Sequence, residues 1–365
     1  MLITKVEIAS LNIPLIRPFI TALRHTNAIE DIVVLIHCDN GLIGYGSAAA
    51  TPVITGDSLP SIIGAIQIIA RQIINAELDN FENLLNLIHN SMVNNNSAKA
   101  ALDIAIHDLI AKKMHQPLYK FLGGGNPKLK ILSTISVKNP QEMANDAKLL
   151  INNGFETLKI KIGLNTDDDL IRLKSIRQAI GTEINLIADA NQGWKSKNAL
   201  NLIEQLIKHD LNIAMIEQPV KHWDYTSLKY IRDNSLIPIY ADEAIFNLRD
   251  ATQIIVNQQA DGINIKLMKT AGIYQARAIY DLANAYQVPC MAGCMLESPI
   301  GVAAMASFVC SRKNFTFIDL DPISMIITNP VSGGVCIDGA NLELSSQIGL
   351  GINKINNLQM VSTII

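Results

Sequence analysis

The chain has 365 residues, of which 49% are hydrophobic and 17% charged, with a formal net charge of −3. That size and balance suit a soluble enzyme with one large core and a smaller domain. They do not suit a nucleic-acid binder, because no Lys/Arg run supplies the clustered positive charge that phosphates demand. The apolar stretch Ile62–Ile74 is broken by Gln67, Arg71 and Gln72, far short of the roughly 18 apolar residues of a membrane span. The opening MLITKVEIASLNIP lacks the parts of a secretory signal, so a cytoplasmic location with no membrane partner is expected. The five cysteines, Cys38, Cys290, Cys294, Cys310 and Cys336, are an odd, scattered set that suits free thiols in a reducing compartment.

Taken in chain order, Leu2–Ile13 and Asp31–His37 read as strands, the second ending at the turn Asp39-Asn40-Gly41. Helical patterns follow. Ser97–Met114 places apolar residues at helical spacing, and Gly123-Gly124-Gly125 marks a boundary. From about residue 129 short β-branched runs alternate with helical runs. The strand candidates are Leu132–Val137, Thr157–Ile162, Ile184–Ala188, Ile213–Ile216, Ile237–Ala241, Gly262–Leu267, Val288–Gly293 and Phe315–Leu320. Eight such units predict a parallel (β/α) barrel of TIM type. The expected division is an α+β capping domain in residues 1–125, a barrel in 126–322 and a segment 323–365 that returns to the capping domain.

Chemistry-bearing residues stand at the C-terminal ends of these strands: Lys161, Asp189, Glu217, Asp242, Lys266, Cys294 and Asp319. The intervals are 28, 28, 25, 24, 28 and 25 residues, each about one β/α unit. A barrel turns that repeat into a ring at its mouth, where barrel active sites lie. Asp189, Glu217 and Asp242 form a hard-oxygen cluster without thiol or imidazole, the donor set of Mg²⁺ or Mn²⁺. Lys161 and Lys266 lie on the second and sixth strands, which face each other across a barrel. Lys159, two residues before Lys161, points to the same face, and that like charge suits Lys161 to act as a base. Lys269 is expected to face away from the mouth. A metal beside a lysine on either face of a carbon suits removal of a proton α to a carboxylate and its return from the opposite side.

In this order, LKIKIG, DANQGW, EQP, ADE and NIKLMK resemble the muconate-lactonizing branch of the enolase superfamily, and the likeness spans essentially the whole chain. It implies a modified (β/α)7β barrel with a capping domain. It also implies one Mg²⁺ held by Asp189, Glu217 and Asp242, an acid/base pair of Lys161, serving the (R) configuration, and Lys266, serving the (S), and a carboxylate-binding Lys159. No histidine stands at a strand tip, unlike the mandelate-racemase branch. Within the branch the chain is similar to the dipeptide epimerases. Asp319 and Asp321 match the pair that holds the substrate ammonium. Arg24, on the loop Pro18–Arg24, matches a group that can meet a glutamate side chain. Thr134 and Cys294 match pocket positions that hydrogen-bond the peptide. The implied substrate is a dipeptide of the L-Ala-D/L-Glu type from murein, epimerised at its second residue.

Two other readings stay open. An o-succinylbenzoate synthase or N-succinylamino acid racemase shares the lysines and metal ligands, but its substrates carry a distal carboxylate that Asp319 and Asp321 would repel. That repulsion also weighs against a muconate-type cycloisomerase. A barrel kept only for binding would be expected to have lost a ligand or a lysine. The sequence leaves the oligomeric state open.

Overall fold

Apolar alternation along the first strands sets up a three-stranded meander. In the computed structural model, which describes residues 1–365, Ile3–Ile20 (β1), His25–Cys38 (β2) and Ile43–Ala49 (β3) pair antiparallel. Val6, Ile8, Leu11 and Ile13 of β1 are buried. The long hairpin β1–β2 turns at residues 21–24, where the Thr21 N–H donates to the Arg24 carbonyl at 3.0 Å.

Three helices cover this sheet: Leu59–Ile73 (α1), Phe81–Asn90 (α2) and Asn96–Lys113 (α3). Helix α1 opens with a capping box between Ser58 and Ser61 and with Pro60 in its first turn. Helix α3 is buried from Ser97 to Lys112, which explains why its apolar stripe is blurred. It lies so close to β3 that a Cβ at Gly44 or Gly46 would overlap the Ala105 or Ala101 carbonyl. A short turn of helix, Leu118–Phe121 (α4), leads to the edge strand Lys128–Lys130 (β4).

Eight parallel strands follow in sequential order: Ser133–Ile135 (β5), Thr157–Lys161 (β6), Asn185–Asp189 (β7), Ile213–Glu217 (β8), Ile239–Ala241 (β9), Gly262–Ile265 (β10), Cys290–Ala292 (β11) and Phe315–Ile318 (β12). The Leu132 N–H donates to the Ile318 carbonyl at 2.9 Å and joins first strand to last. The connections carry helices Pro140–Asn152 (α5), Thr166–Ile180 (α6), Ser196–Lys208 (α7), Tyr225–Asp233 (α8), Leu248–Val256 (α9), the single turn Leu267–Thr270 (α10), Ile273–Ala285 (α11) and Pro299–Cys310 (α12). Asparagines cap several of them, Asn139, Asn165 and Asn247 each accepting first-turn N–H groups. No α-helix follows β12, only the 3₁₀ turn Pro322–Met325, so the barrel is (β/α)7β, as expected. Leu132, Ile187, Met215, Tyr240 and Met291 fill its interior below the mouth.

Beyond β12, Val331–Gly333 (β13) pairs with Ile352–Ile355 (β16), while Val335–Asp338 (β14) and Asn341–Leu344 (β15) form a sheet with β4. Only the last strand, Gln359–Ile364 (β17), joins the N-terminal sheet, against β1.

Candidate active site

The ladder places Lys161 opposite Asp189 and Asp189 opposite Glu217, so three of the charged strand ends meet by register alone. Lys161 Nζ lies 2.6 Å from Asp189 Oδ2. Lys159 Nζ, which is 1% exposed, is enclosed by Asp189 Oδ2 at 3.1 Å, Glu217 Oε2 at 2.8 Å and Asp319 Oδ2 at 2.9 Å. Across the mouth, Lys266 Nζ is 2.5 Å from Asp242 Oδ2. Lys159, Lys161, Lys266, Asp319 and Asp321 line one small cavity, with Thr134, Cys294, Arg24, Phe19, Ile54 and Met295. A larger open groove beside it shares Phe19, Thr134 and Met325 but contains none of these lysines or carboxylates.

At the eighth strand the Thr134 N–H and the Ser133 hydroxyl donate to Asp321 Oδ2 at 2.7 and 3.1 Å, and the Thr134 hydroxyl reaches Asp319 Oδ1 at 3.4 Å. The Cys294 thiol donates to the Asp319 carbonyl at 3.1 Å. Burial first, then Glu297 and Asp319, raise its pKa well above the ordinary thiol value, so it remains a donor. Thr134 and Cys294 thus hold the Asp319–Asp321 pair in this structure. Burial and the neighbouring Asp319 push Asp321 up to about 7.

Arg24 is the opposite case. Its hairpin tip is shaped by Thr21, whose hydroxyl accepts from the Leu23 and Arg24 N–H groups. The guanidinium lies over the Phe19 ring, 5.7 Å from its centre, and reaches only the Thr51 hydroxyl, at 3.5 Å. No carboxylate is among its hydrogen-bond or ion-pair partners, and burial lowers its pKa to about 10.

The donor set can be tested against a hard divalent cation. Six buried carboxyl groups (Asp189, Glu217, Asp242, Glu243, Asp319 and Asp321) share the mouth with four buried lysines (Lys159, Lys161, Lys266 and Lys269), two more acids than bases. Glu217 shows the strain. Burial, Asp189 and Asp242 push it up to about 8, beyond what Lys159 and Lys266 offset. Asp189 is held down at about 2, because Lys161 and Lys159 outweigh its burial. Glu217 Oε2 and Asp242 Oδ1 are buried and accept no aligned hydrogen bond, although Lys159 and Lys269 lie within ion-pair distance. The oxygens of the cluster are not gathered into a coordination sphere, since ammonium groups stand between them. The residue types, the surplus of carboxyl groups over lysines and the two unaligned oxygens nonetheless fit Mg²⁺.

One expectation is overturned. Lys269 does not face away from the mouth: fully buried, it pairs with Asp242 Oδ1 at 2.6 Å and donates to the Asp242 and Asn264 carbonyls. The cause is the single turn α10, which carries residue 269 back over the end of β9. Sequence reasoning also passed over three neighbours. Asn264 donates to Glu217 Oε1 at 2.8 Å, and the i, i+2 rule applied to Lys159 would have found it two residues before Lys266. Asn191 donates to Glu243 Oε1 at 3.2 Å, while Glu243, raised to about 7 by burial and by Asp242, adjoins a ligand candidate directly.

Comparison with known proteins agrees with this geometry. Residues 3–123 match the N-terminal domain of the mandelate racemase / muconate lactonizing enzyme family, and residues 142–355 match its enolase C-terminal-like domain. The L-Ala-D/L-Glu epimerase of Clostridium acetobutylicum is 44% identical over 98% of this chain and 100% of its own length. A substrate-liganded structure of the L-Ala-D/L-Glu epimerase from Bacillus subtilis superposes with a TM-score of 0.96 at 39% identity, over 97% of this chain and 99% of that one. A dipeptide epimerase from Enterococcus faecalis, solved with Mg and L-Leu-L-Tyr, gives 0.94 at 36% identity, over 97% and 100%. With a barrel of this topology and both domains matched, the chain belongs to the mandelate racemase / muconate lactonizing enzyme family of the enolase superfamily.

Proposed function

We propose that this chain is a Mg²⁺-dependent dipeptide epimerase that inverts the carbon bearing the C-terminal carboxylate, with L-Ala-D/L-Glu as its preferred kind of substrate. The observation that carries the reading is the single cavity lined by Lys161 and Lys266, from opposite strands, and by Asp319 and Asp321, with Asp189 and Asp242 paired to those two lysines behind its wall. Asp189, Glu217 and Asp242 would hold the cation, which when bound would offset the charge that builds on the substrate carboxylate as its α-proton leaves.

The chain's own residues do the rest. Lys159 orients the substrate carboxylate from within its carboxylate cage. Lys161 Nζ and Lys266 Nζ take and return the proton on opposite faces, Lys161 for the (R) and Lys266 for the (S) configuration. Burial works against the charged form of Lys266, but Asp242 more than offsets it and raises its pKa, so in this state Lys266 is in its acid form. Asp319 and Asp321 receive the N-terminal ammonium, which disfavours N-succinyl amino acids, whose distal group is anionic. Arg24 receives the glutamate side chain.

The assignment of residues 1–125 to capping, 126–322 to the barrel and 323–365 to a returning segment belongs to the same reading, supported by the pairing of β17 with β1. Free cysteines throughout, and no helix long and apolar enough to cross a membrane, support a cytoplasmic site of action on murein-derived dipeptides. The test is a proton NMR screen in D₂O with Mg²⁺ against a dipeptide library. Washout of the second-residue α-proton with epimer formation is expected, fastest for Ala-Glu. Faster turnover of N-succinyl amino acids than of any dipeptide would overturn the assignment.

A further inference from the structure

Lys266 is the residue before α10, and its backbone is fixed by that turn. Its carbonyl accepts from the Lys269 and Thr270 N–H groups, both at 3.0 Å, and from the Thr270 hydroxyl at 3.2 Å. The turn ends in two left-handed residues, Ala271 (φ +62°) and Gly272 (φ +110°), and α11 then starts with no side-chain cap of its own. Uncapped N–H groups at a buried helix start are costly.

The missing cap comes from the other domain. Asp103, in the middle of α3, accepts the Ile273 N–H at 2.7 Å and the Tyr274 N–H at 3.3 Å. Its carboxylate presses so closely on Gly272 that a Cβ there would overlap it. His89 holds the carboxylate in turn, at 2.9 Å, and stacks on the Tyr274 ring with centres 5.3 Å apart. At the start of α3, Asn96 Nδ2 donates to the Lys269 carbonyl at 2.5 Å and to the Phe246 carbonyl at 3.4 Å. The far side of α10 is pinned by Lys269 to Asp242.

We propose that α3 of the capping region, through Asp103 and Asn96, is the positioning element that sets Lys266 at its face of the substrate carbon. The Lys161 strand has no attachment to α3: β6 is held by its sheet neighbours β5 and β7, and the capping region reaches that side through the β1–β2 hairpin, where the Val137 N–H donates to the Ile20 carbonyl at 3.1 Å. Loosening α3 therefore displaces one of the two proton-transferring lysines and spares the other. The proposal rests on the reading of Lys161 and Lys266 as those lysines.

The experiment compares α-proton exchange in D₂O on the two epimers separately, in the unaltered enzyme and in Asp103→Asn and Asn96→Ala, with Mg²⁺ and with folding checked by circular dichroism. Exchange on the (S) epimer should fall on the order of tenfold to a hundredfold, the scale of a displaced catalytic group, while exchange on the (R) epimer stays within about twofold. A mere loss of stability would lower both together. Equal losses on the two epimers, or none, in whichever variant folds would overturn the proposal. The substrate is whichever compound the unaltered enzyme exchanges, dipeptide or N-succinyl amino acid, so N-succinyl preference alone would sink the dipeptide reading and leave this one standing.

Discussion

Replacing Arg24 by Met should change which substrates are preferred more than it changes the chemistry. Burial pulls the guanidinium from its ordinary 12.5 to about 10, which at about 1.4 kcal/mol per pKa unit corresponds to roughly 3 kcal/mol of lost solvation. Arg24 is only partly buried, so solvent screening reduces the usable part to about half of that. A substrate carboxylate that meets the planar fork recovers it through paired hydrogen bonds. A Leu or Met side chain at the same place recovers none. The ratio of kcat/KM for Ala-Glu to that for Ala-Leu should therefore drop by about tenfold or more in Arg24→Met, while kcat/KM for Ala-Leu stays nearly constant because Met preserves the bulk beside Phe19. Initial rates on the two dipeptides, measured by polarimetry, give the ratio directly. Parallel losses on both substrates would show that Arg24 acts on the loop and not on the substrate, and would leave only a general dipeptide epimerase.

Chelation should abolish activity and Mg²⁺ restore it; full activity in metal-free protein would refute the donor assignment of Asp189, Glu217 and Asp242. Lys161→Ala should stop epimerisation yet leave α-proton exchange on the (S) epimer through Lys266, as read by NMR in D₂O; near-normal interconversion of both epimers would exclude two-base chemistry. Asp321→Asn should weaken every free-amine dipeptide but not N-succinyl amino acids, a comparison of kcat/KM across the two classes. On α3, His107 sits on Asp103, 3.2 Å from its Oδ1; burial lowers its pKa but Asp103 outweighs that and the result is raised. A raised folded value stabilises below the unfolded histidine pKa of about 6.5 and is lost as pH climbs through the folded one. His107→Gln should therefore cost more thermal stability at about pH 6 than at about pH 9, roughly 2 °C per kcal/mol for a chain of this size; an equal cost at both would refute the charge pairing.

What could be read from residues alone was whatever depends on periodicity. The eight barrel strands appear near their expected positions because parallel strands buried on both faces read as continuous apolar runs. The strand β3 was not seen, since Gly44 and Gly46 weaken a strand pattern; they are there because α3 lies against them, a tertiary cause invisible in a local window. The expected strand over 262–267 ends instead at Ile265, where the chain turns into α10, and that turn brings Lys269 into the site. Thr134 could be placed at the pocket but not given its partners, because Asp319 and Asp321 reach it only once the last strand closes on the first; Cys294 meets Asp319 across the neighbouring strands β11 and β12.

The spacing of the motifs gives a ring but not its height. Followed along the ladder, Lys161 is level with Asp189, Asp189 with Glu217, Glu217 with Tyr240, and Tyr240 with Gly262. Hydrogen-bond level therefore places Gly262, not Lys266, across from Lys161, and Lys266 stands four residues beyond. Strands in such a barrel tilt by about 36°, with a shear of about eight residues around eight strands. Four strands, half the circuit, then account for about four residues of stagger. Asp242, two residues past the ladder level of Glu217, shows the offset halfway built. Because the offset is even, every one of these side chains keeps the inward-facing parity of its strand. The stagger that closes the sheet is thus the same stagger that lifts Lys266 to the height of Lys161, and a one-residue slip at β9 or β10 would turn Asp242 or Lys266 out of the barrel.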